Sequence, residues 1–117
     1  MICEGCKDLI VTIVKKGWAD QVMQAARNAG SEGGTVLMGR GTGIHEMQSF
    51  LGIPIEPEKE IVLIVVEPEQ TDGVLDAISA AAELDQPGMG IAFVIPLSRV
   101  AGRVHMLRKK EEEEGGP

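Results

Sequence analysis

The chain has no tyrosine, one tryptophan (Trp18) and two phenylalanines (Phe50 and Phe93). A core of large aromatic side chains is therefore excluded, and Val, Ile, Leu, Ala and Met must fill it. With 44% of its 117 residues hydrophobic, the chain has enough apolar material for one domain. Basic residues are scarce as well: 11 Lys and Arg stand against 18 Asp and Glu, a net charge of −7. Neutralising a phosphate backbone needs clustered cations, so this balance argues against a nucleic-acid partner. No run reaches the roughly 18 consecutive apolar residues of a spanning helix. Nor does the start, Cys3-Glu4-Gly5-Cys6-Lys7, form a basic then apolar leader. The expectation is a cytoplasmic protein with no direct membrane insertion.

Histidine and cysteine are each limited to two residues. His45 and His105 are too few for a credible Ser-His-Asp or Cys-His set. Cys3 and Cys6 form a Cys-x-x-Cys pair, but one that precedes the first strand, whereas a thioredoxin-like pair follows a strand and opens a helix. A structural zinc needs four ligands, and both histidines are remote in sequence. The pair reads as reduced thiols or an incidental metal contact.

What is present is a regular alternation of elements. Residues 9–15 (LIVTIVK) predict a strand, and Trp18–Ala29 a helix carrying Val22, Ala25 and Ala26 at helical spacing, closed by Gly30. TVLMG, from Thr35, predicts a second strand, KEIVLIVVE (59–67) a third, and MGIAFVIPL (89–97) a fourth. Between the last two lies a helix with Val74, Leu75, Ile78, Ala81 and Ala82 on one stripe. Arg40 to Glu58 reads as one long flexible loop without strand or helix period. Two βαβ halves of similar length predict an α+β, ferredoxin-like βαββαβ sandwich with both helices on one face of the sheet. The expected organisation is a leader over 1–8, the domain over 9–108 and a disordered acidic tail over 109–117.

The strands are apolar on both faces. Ile61, Leu63 and Val65 alternate with Val62, Ile64 and Val66, and Leu9, Val11 and Ile13 with Ile10, Thr12 and Val14. Helices can cover only one set. The other would be a larger apolar surface than a soluble monomer usually carries, which predicts a homo-oligomer with sheet faces buried between subunits.

Three stretches carry candidate chemistry: Gly39-Arg40-Gly41-Thr42-Gly43 after the second strand, Pro87-Gly88-Met89-Gly90 before the fourth, and Arg99 with Arg103 after it. Glycine lets backbone N–H groups approach an anion, and arginine binds phosphate bidentately. Lys59, at the end of the long loop, adds another cation. Neither glycine stretch fits the P-loop or the dinucleotide fingerprint.

In this order, DLIVTIVKKG, GGTVLMGRGTG, the loop ending at Glu58-Lys59, EIVLIVV and PGMGIAFVIPLSRV resemble the P-II nitrogen-regulatory family over residues 8 to about 104. The resemblance implies a compact homotrimer with nucleotide clefts at its subunit boundaries. It implies that Thr35 touches the adenine edge, with Ile13 and Val65 as the apolar wall. Gly41, Thr42 and Gly43 would flank the base and ribose. Gly88, Met89 and Gly90 would wrap the phosphates, joined by Lys59, Arg99 and Arg103. The long loop, with Arg40, His45, Glu46, Phe50 and Leu51, would be the segment that engages a target protein such as a membrane transporter or a metabolic enzyme. The expected activity is signal transduction, not catalysis.

Three departures from the family pattern qualify this expectation. The usual Gly-Asp-Gly-Lys becomes Gly88-Met89-Gly90-Ile91, without the lysine that meets the outer phosphates. His45 stands where a glutamine helps hold magnesium and 2-oxoglutarate, with Ile44 in place of an arginine. Without tyrosine, nucleotidylylation of a loop tyrosine is impossible. ADP or AMP is therefore expected over MgATP. Two other classes share the predicted architecture: an amino-acid-binding regulatory domain, and a trimeric metal-tolerance protein.

Overall fold

The structure, a computed structural model, describes residues 5–42 and 48–102, with the side chains at 48–50, 54 and 55 outside that description. Strand β1 (Lys7–Lys15) leads through helix α1 (Ala19–Asn28) to β2 (Thr35–Arg40). A small hairpin follows, β3 (Gln48–Phe50) and β4 (Ile53–Ile55). Then come β5 (Glu58–Val66), a 3-10 turn over Pro68–Gln70, α2 (Thr71–Ala81) and β6 (Gly90–Leu97). The four long strands form one antiparallel sheet in the order β2-β5-β1-β6. This is the ferredoxin-like arrangement expected from the alternation of strands and helices.

The alternating sets separate cleanly. Ile10, Val14, Val62, Ile64 and Val66 lie under the helices and meet Val22, Ala26, Val74 and Ile78 in one buried core. Thr12 shares that face, wholly buried, between Val62 of β5 and Ala92 of β6. Its hydroxyl oxygen has no hydrogen-bond partner among the described residues. The opposite face carries Leu9, Val11, Ile13, Ile61, Leu63 and Val65, continued by Leu37 on β2 and by Ile91, Phe93 and Ile95 on β6. Those four outer residues are 39–56% exposed. Of the apolar residues named on this face, only Val11, near its middle, is buried by its neighbours.

Helix α1 is capped by a residue distant in sequence. Trp18 occupies the N-cap but offers no side-chain acceptor. Instead Oε1 of Glu60, on β5, accepts hydrogen bonds from the backbone N–H groups of Gly17 (2.6 Å) and Ala19 (3.1 Å). A carboxylate at this end also meets the positive pole of the helix.

The structure corrects two sequence expectations. The segment from Arg40 to Glu58 is not without strand: Gln48–Phe50 pairs with Ile53–Ile55 around a two-residue turn, Leu51-Gly52. Both turn residues have positive φ, 53° and 82°, as a type I′ hairpin requires. Strands of three residues, one containing Pro54, are too short to show a period in sequence. Cysteine is the second correction. Cys6 is not a reduced thiol but half of a disulfide.

Candidate functional site

The C-terminal end of β1 and the N-terminal ends of β5 and β6 meet at one end of the sheet. There Ile13 faces Ile61 on one side and Ile91 on the other, an apolar row across three strands. Above this row the ladder between β2 and β5 runs through Gly39–Lys59 and Arg40–Glu58, then gains one more bond where the Gly41 N–H donates to the Pro57 carbonyl at 3.2 Å. The result is a cavity of about 320 Å³ lined by Ile13, Arg40, Gly41, Thr42, Lys59, Ile61, Gly90 and Ile91. An apolar floor with two cations and a glycine backbone at its rim suits a small anionic ligand with a flat apolar part.

Gly90 is indispensable to this shape. Its φ is 138°, and a Cβ there would stand 2.3 Å from the Ile13 carbonyl oxygen. Gly88 has a different role. The Met89 N–H donates to the Gln86 carbonyl at 3.3 Å, with Pro87 and Gly88 (φ 79°) at the centre. Proline followed by a glycine of positive φ is the pattern of a type II turn, so Gly88 sets the chain's approach to β6. Neither it nor Met89 lines the cavity.

The root of the hairpin is held electrostatically. The Lys16 ammonium bridges Oε2 of Glu58 at 2.9 Å, and the Lys16 N–H donates to the Glu58 carbonyl at 3.3 Å. The hydrogen bond from Lys16, then its charge, with Arg40 adding to it, holds the Glu58 carboxyl below its ordinary range. Reciprocally, the bond to Glu58 raises the Lys16 ammonium above its own. Both side chains are largely exposed, so the tie is screened by salt.

The expected site residues fall into two groups. Ile13, Gly41, Thr42, Lys59 and Gly90 come together, and Arg40, assigned to the target loop, joins them. Thr35, Val65 and Arg99 do not. Thr35 and Arg40 stand at opposite ends of β2, about 17 Å apart at the usual rise per residue. Val65 pairs with Leu9, and Arg99 follows the end of β6 that pairs with Lys7. Val65 and Arg99 thus sit at the far end of the sheet, beyond the reach of a small molecule in the cavity, whereas Thr35, paired with Leu63 and level with Val11, sits near the middle of the sheet and does not line the cavity. Gly43, His45, Glu46 and Arg103 lie outside the described residues, as does the Phe50 side chain. Leu51, at the hairpin turn, is 87% exposed. Sequence reasoning missed Ile61 and Ile91 as the cavity floor, although pairing Ile13 with its cross-strand partners would have found them. It missed the Glu60 cap too, which no local signal announces.

No described helix is long and apolar enough to cross a membrane. The described residues hold no cluster of three or more His, Cys, Asp or Glu able to bind a metal ion. Among solved structures, the chain is similar to the Arabidopsis thaliana PII protein in a crystal structure bound to citrate. The two share 28% identity and a TM-score of 0.63, with 79% of this chain and 78% of that chain covered. The family model for nitrogen regulatory protein P-II matches residues 7–109. With a match over most of its length, on a sheet of the expected order, the chain belongs to the nitrogen regulatory protein P-II family.

Proposed function

We propose that this chain is a cytoplasmic homotrimeric signal transducer that binds an adenine nucleotide, ADP or AMP in preference to MgATP, and passes the signal to a target protein through the segment containing β3 and β4. The carrying observation is the division of the candidate residues between the two ends of the sheet. Ile13, Gly41, Thr42, Lys59 and Gly90 line the cavity, while Val65 and Arg99 stand at the other end and Thr35 lies between the two. A cleft built from the cavity of one protomer and the far end of a second would reunite them. The helix-free apolar face supplies a reason for the copies to associate, since burying it removes a large hydrophobic surface from water. The missing lysine after Gly90, where Ile91 stands, favours the shorter nucleotides. The Leu51 side chain, held in the left-handed region at the tip of the hairpin and largely exposed, suits insertion into a partner. The reading includes no catalytic step.

A tricarboxylate is the second reading, favoured by the citrate-bound Arabidopsis structure and by Arg40 and Lys59 at the cavity. Calorimetry with ADP, AMP, ATP and citrate separates the two, and light scattering reads the assembly. The composite cleft has its own test. Lys59→Met and Arg99→Ala variants should each lose nucleotide affinity by about ten- to a hundredfold, as removal of a charge-assisted contact does. A co-refolded equimolar mixture should recover about a quarter of the clefts, because that fraction pairs two intact halves in a ring of random composition. A mixture no better than its parents, or a stable monomer that binds ADP fully, would refute the shared cleft.

A further inference from the structure

Val36, Met38 and Arg40 alternate along β2 on the side of the sheet that carries the helices, paired in turn with Val62, Glu60 and Glu58 of β5. Among the described residues no strand covers the outer edge of β2, and Val36 and Met38 are both exposed there. Arg40 and Glu58 stand directly opposite each other at the end of this ladder. Opposite charges so placed ordinarily pair, yet no ion pair joins these two. Glu58 gives Oε2 to the Lys16 ammonium at 2.9 Å instead. Its Oε1 has no hydrogen-bond partner among the described residues, and neither has the Arg40 guanidinium. Beside them opens a second cavity, of about 310 Å³, lined by Met38, Gly39, Arg40 and Glu58. It is distinct from the cavity floored by Ile13, although Arg40 borders both.

A guanidinium and a carboxylate oxygen left open across one ladder pair are complementary to a molecule that carries both charges on neighbouring atoms. A ligand with only negative charge meets repulsion at Glu58, and one with only positive charge meets it at Arg40. The Met38 thioether, flexible and polarizable, offers an apolar surface next to both. We propose that this second cavity binds a free α-amino acid with an apolar side chain. Its carboxylate accepts from the Arg40 guanidinium, its ammonium donates to Oε1 of Glu58, and its side chain lies on Met38. Arg40 is the last residue of β2 and Glu58 the first of β5, so the ligand ties together the two roots of the segment containing β3 and β4. The site lies on the helix side of the sheet, away from the apolar face assigned to neighbouring copies, and it stands whether or not nucleotide binds.

The test uses the full chain. L-leucine and L-methionine, titrated up to millimolar concentration, should shift the amide signals of Met38, Gly39, Arg40 and Glu58 in correlation spectra. N-acetyl-L-leucine lacks the ammonium and L-leucinamide the carboxylate, and each should bind at least about tenfold more weakly, as loss of a charge-assisted contact implies. Arg40→Gln and Glu58→Gln should each weaken L-leucine binding to a similar degree. Lys16→Gln separates recognition from architecture. It breaks the same bridge as Glu58→Gln but keeps the carboxylate, and should bind L-leucine as well as the parent or better. Absence of any shift with both amino acids, equal binding of N-acetyl-L-leucine, or a Lys16→Gln variant as impaired as Glu58→Gln would each overturn the proposal.

Discussion

Replacing Thr12 by valine should stabilise the protein. Thr12 sits at the centre of β1, between β5 and β6, on the face covered by both helices, and is fully buried. Its methyl group packs like that of a valine, but its hydroxyl oxygen has no partner among the described residues. A buried hydroxyl without a hydrogen bond costs about 1–3 kcal/mol relative to its hydrated state in the unfolded chain. Valine has nearly the same shape, remains β-branched and has no such group to desolvate, so the expected gain is about 1–2 kcal/mol. For a domain near this size that is roughly 4–8 °C of melting temperature for each kcal/mol. Thr12→Ser supplies the control, since it keeps the hydroxyl and loses the methyl; it should melt below the parent by about 1 kcal/mol or more. Urea titration at fixed protein concentration, with circular dichroism as readout, gives both values and holds any association constant. A Thr12→Val variant destabilised by about 1 kcal/mol or more would mean that the hydroxyl has a partner, and the reasoning would fail.

Gly90→Ala should fold poorly or with β6 displaced, because its Cβ would fall 2.3 Å from the Ile13 carbonyl oxygen at a φ of 138°. A variant with unchanged melting and ligand binding would contradict that close approach. Glu60→Gln keeps the size of the cap but removes the charge facing the Gly17 and Ala19 N–H groups, and should cost roughly 0.5–1 kcal/mol by thermal melting. The Lys16–Glu58 bridge gives a pH signature: the lowered Glu58 value means its contribution is present above the unfolded carboxylate range and is lost as pH falls through the folded one. The raised Lys16 value means the contribution is lost again only as pH rises through the lysine range. Stability from this pair should therefore be flat at neutral pH and fall in acid. Lys16→Gln should remove that share of the acid dependence in a melting series, and an unchanged acid profile would rule the bridge out as its source.

The sequence alone determined the sheet and its two faces. A strand presents alternate residues to opposite sides, so the alternation by itself separates Ile10 and Val14 from Leu9 and Ile13, and the helical stripe of Val74 and Ile78 names their cover. The glycines near Arg40 and Gly90 were legible as places of close backbone approach for the same reason: the signal is local. Other features depend on residues far apart in the chain. The pairing of Glu60 with the start of α1 spans more than forty residues, and no local preference encodes it. The hairpin at Leu51-Gly52 rests on strands too short for a period to register. The cysteine spacing read as reduced thiols or an incidental metal contact, and the disulfide at Cys6 emerged only in the fold. Above all, the grouping of the candidate site was a tertiary decision. Antiparallel register brings Ile13 of β1, Lys59 and Ile61 of β5 and Ile91 of β6 together at one end of the sheet, and carries Val65, beside Leu9, and Arg99, past the end of β6 that pairs with Lys7, to the other. Residue types can mark them as ligand contacts, but only the pairing of β5, β1 and β6 shows which of them meet.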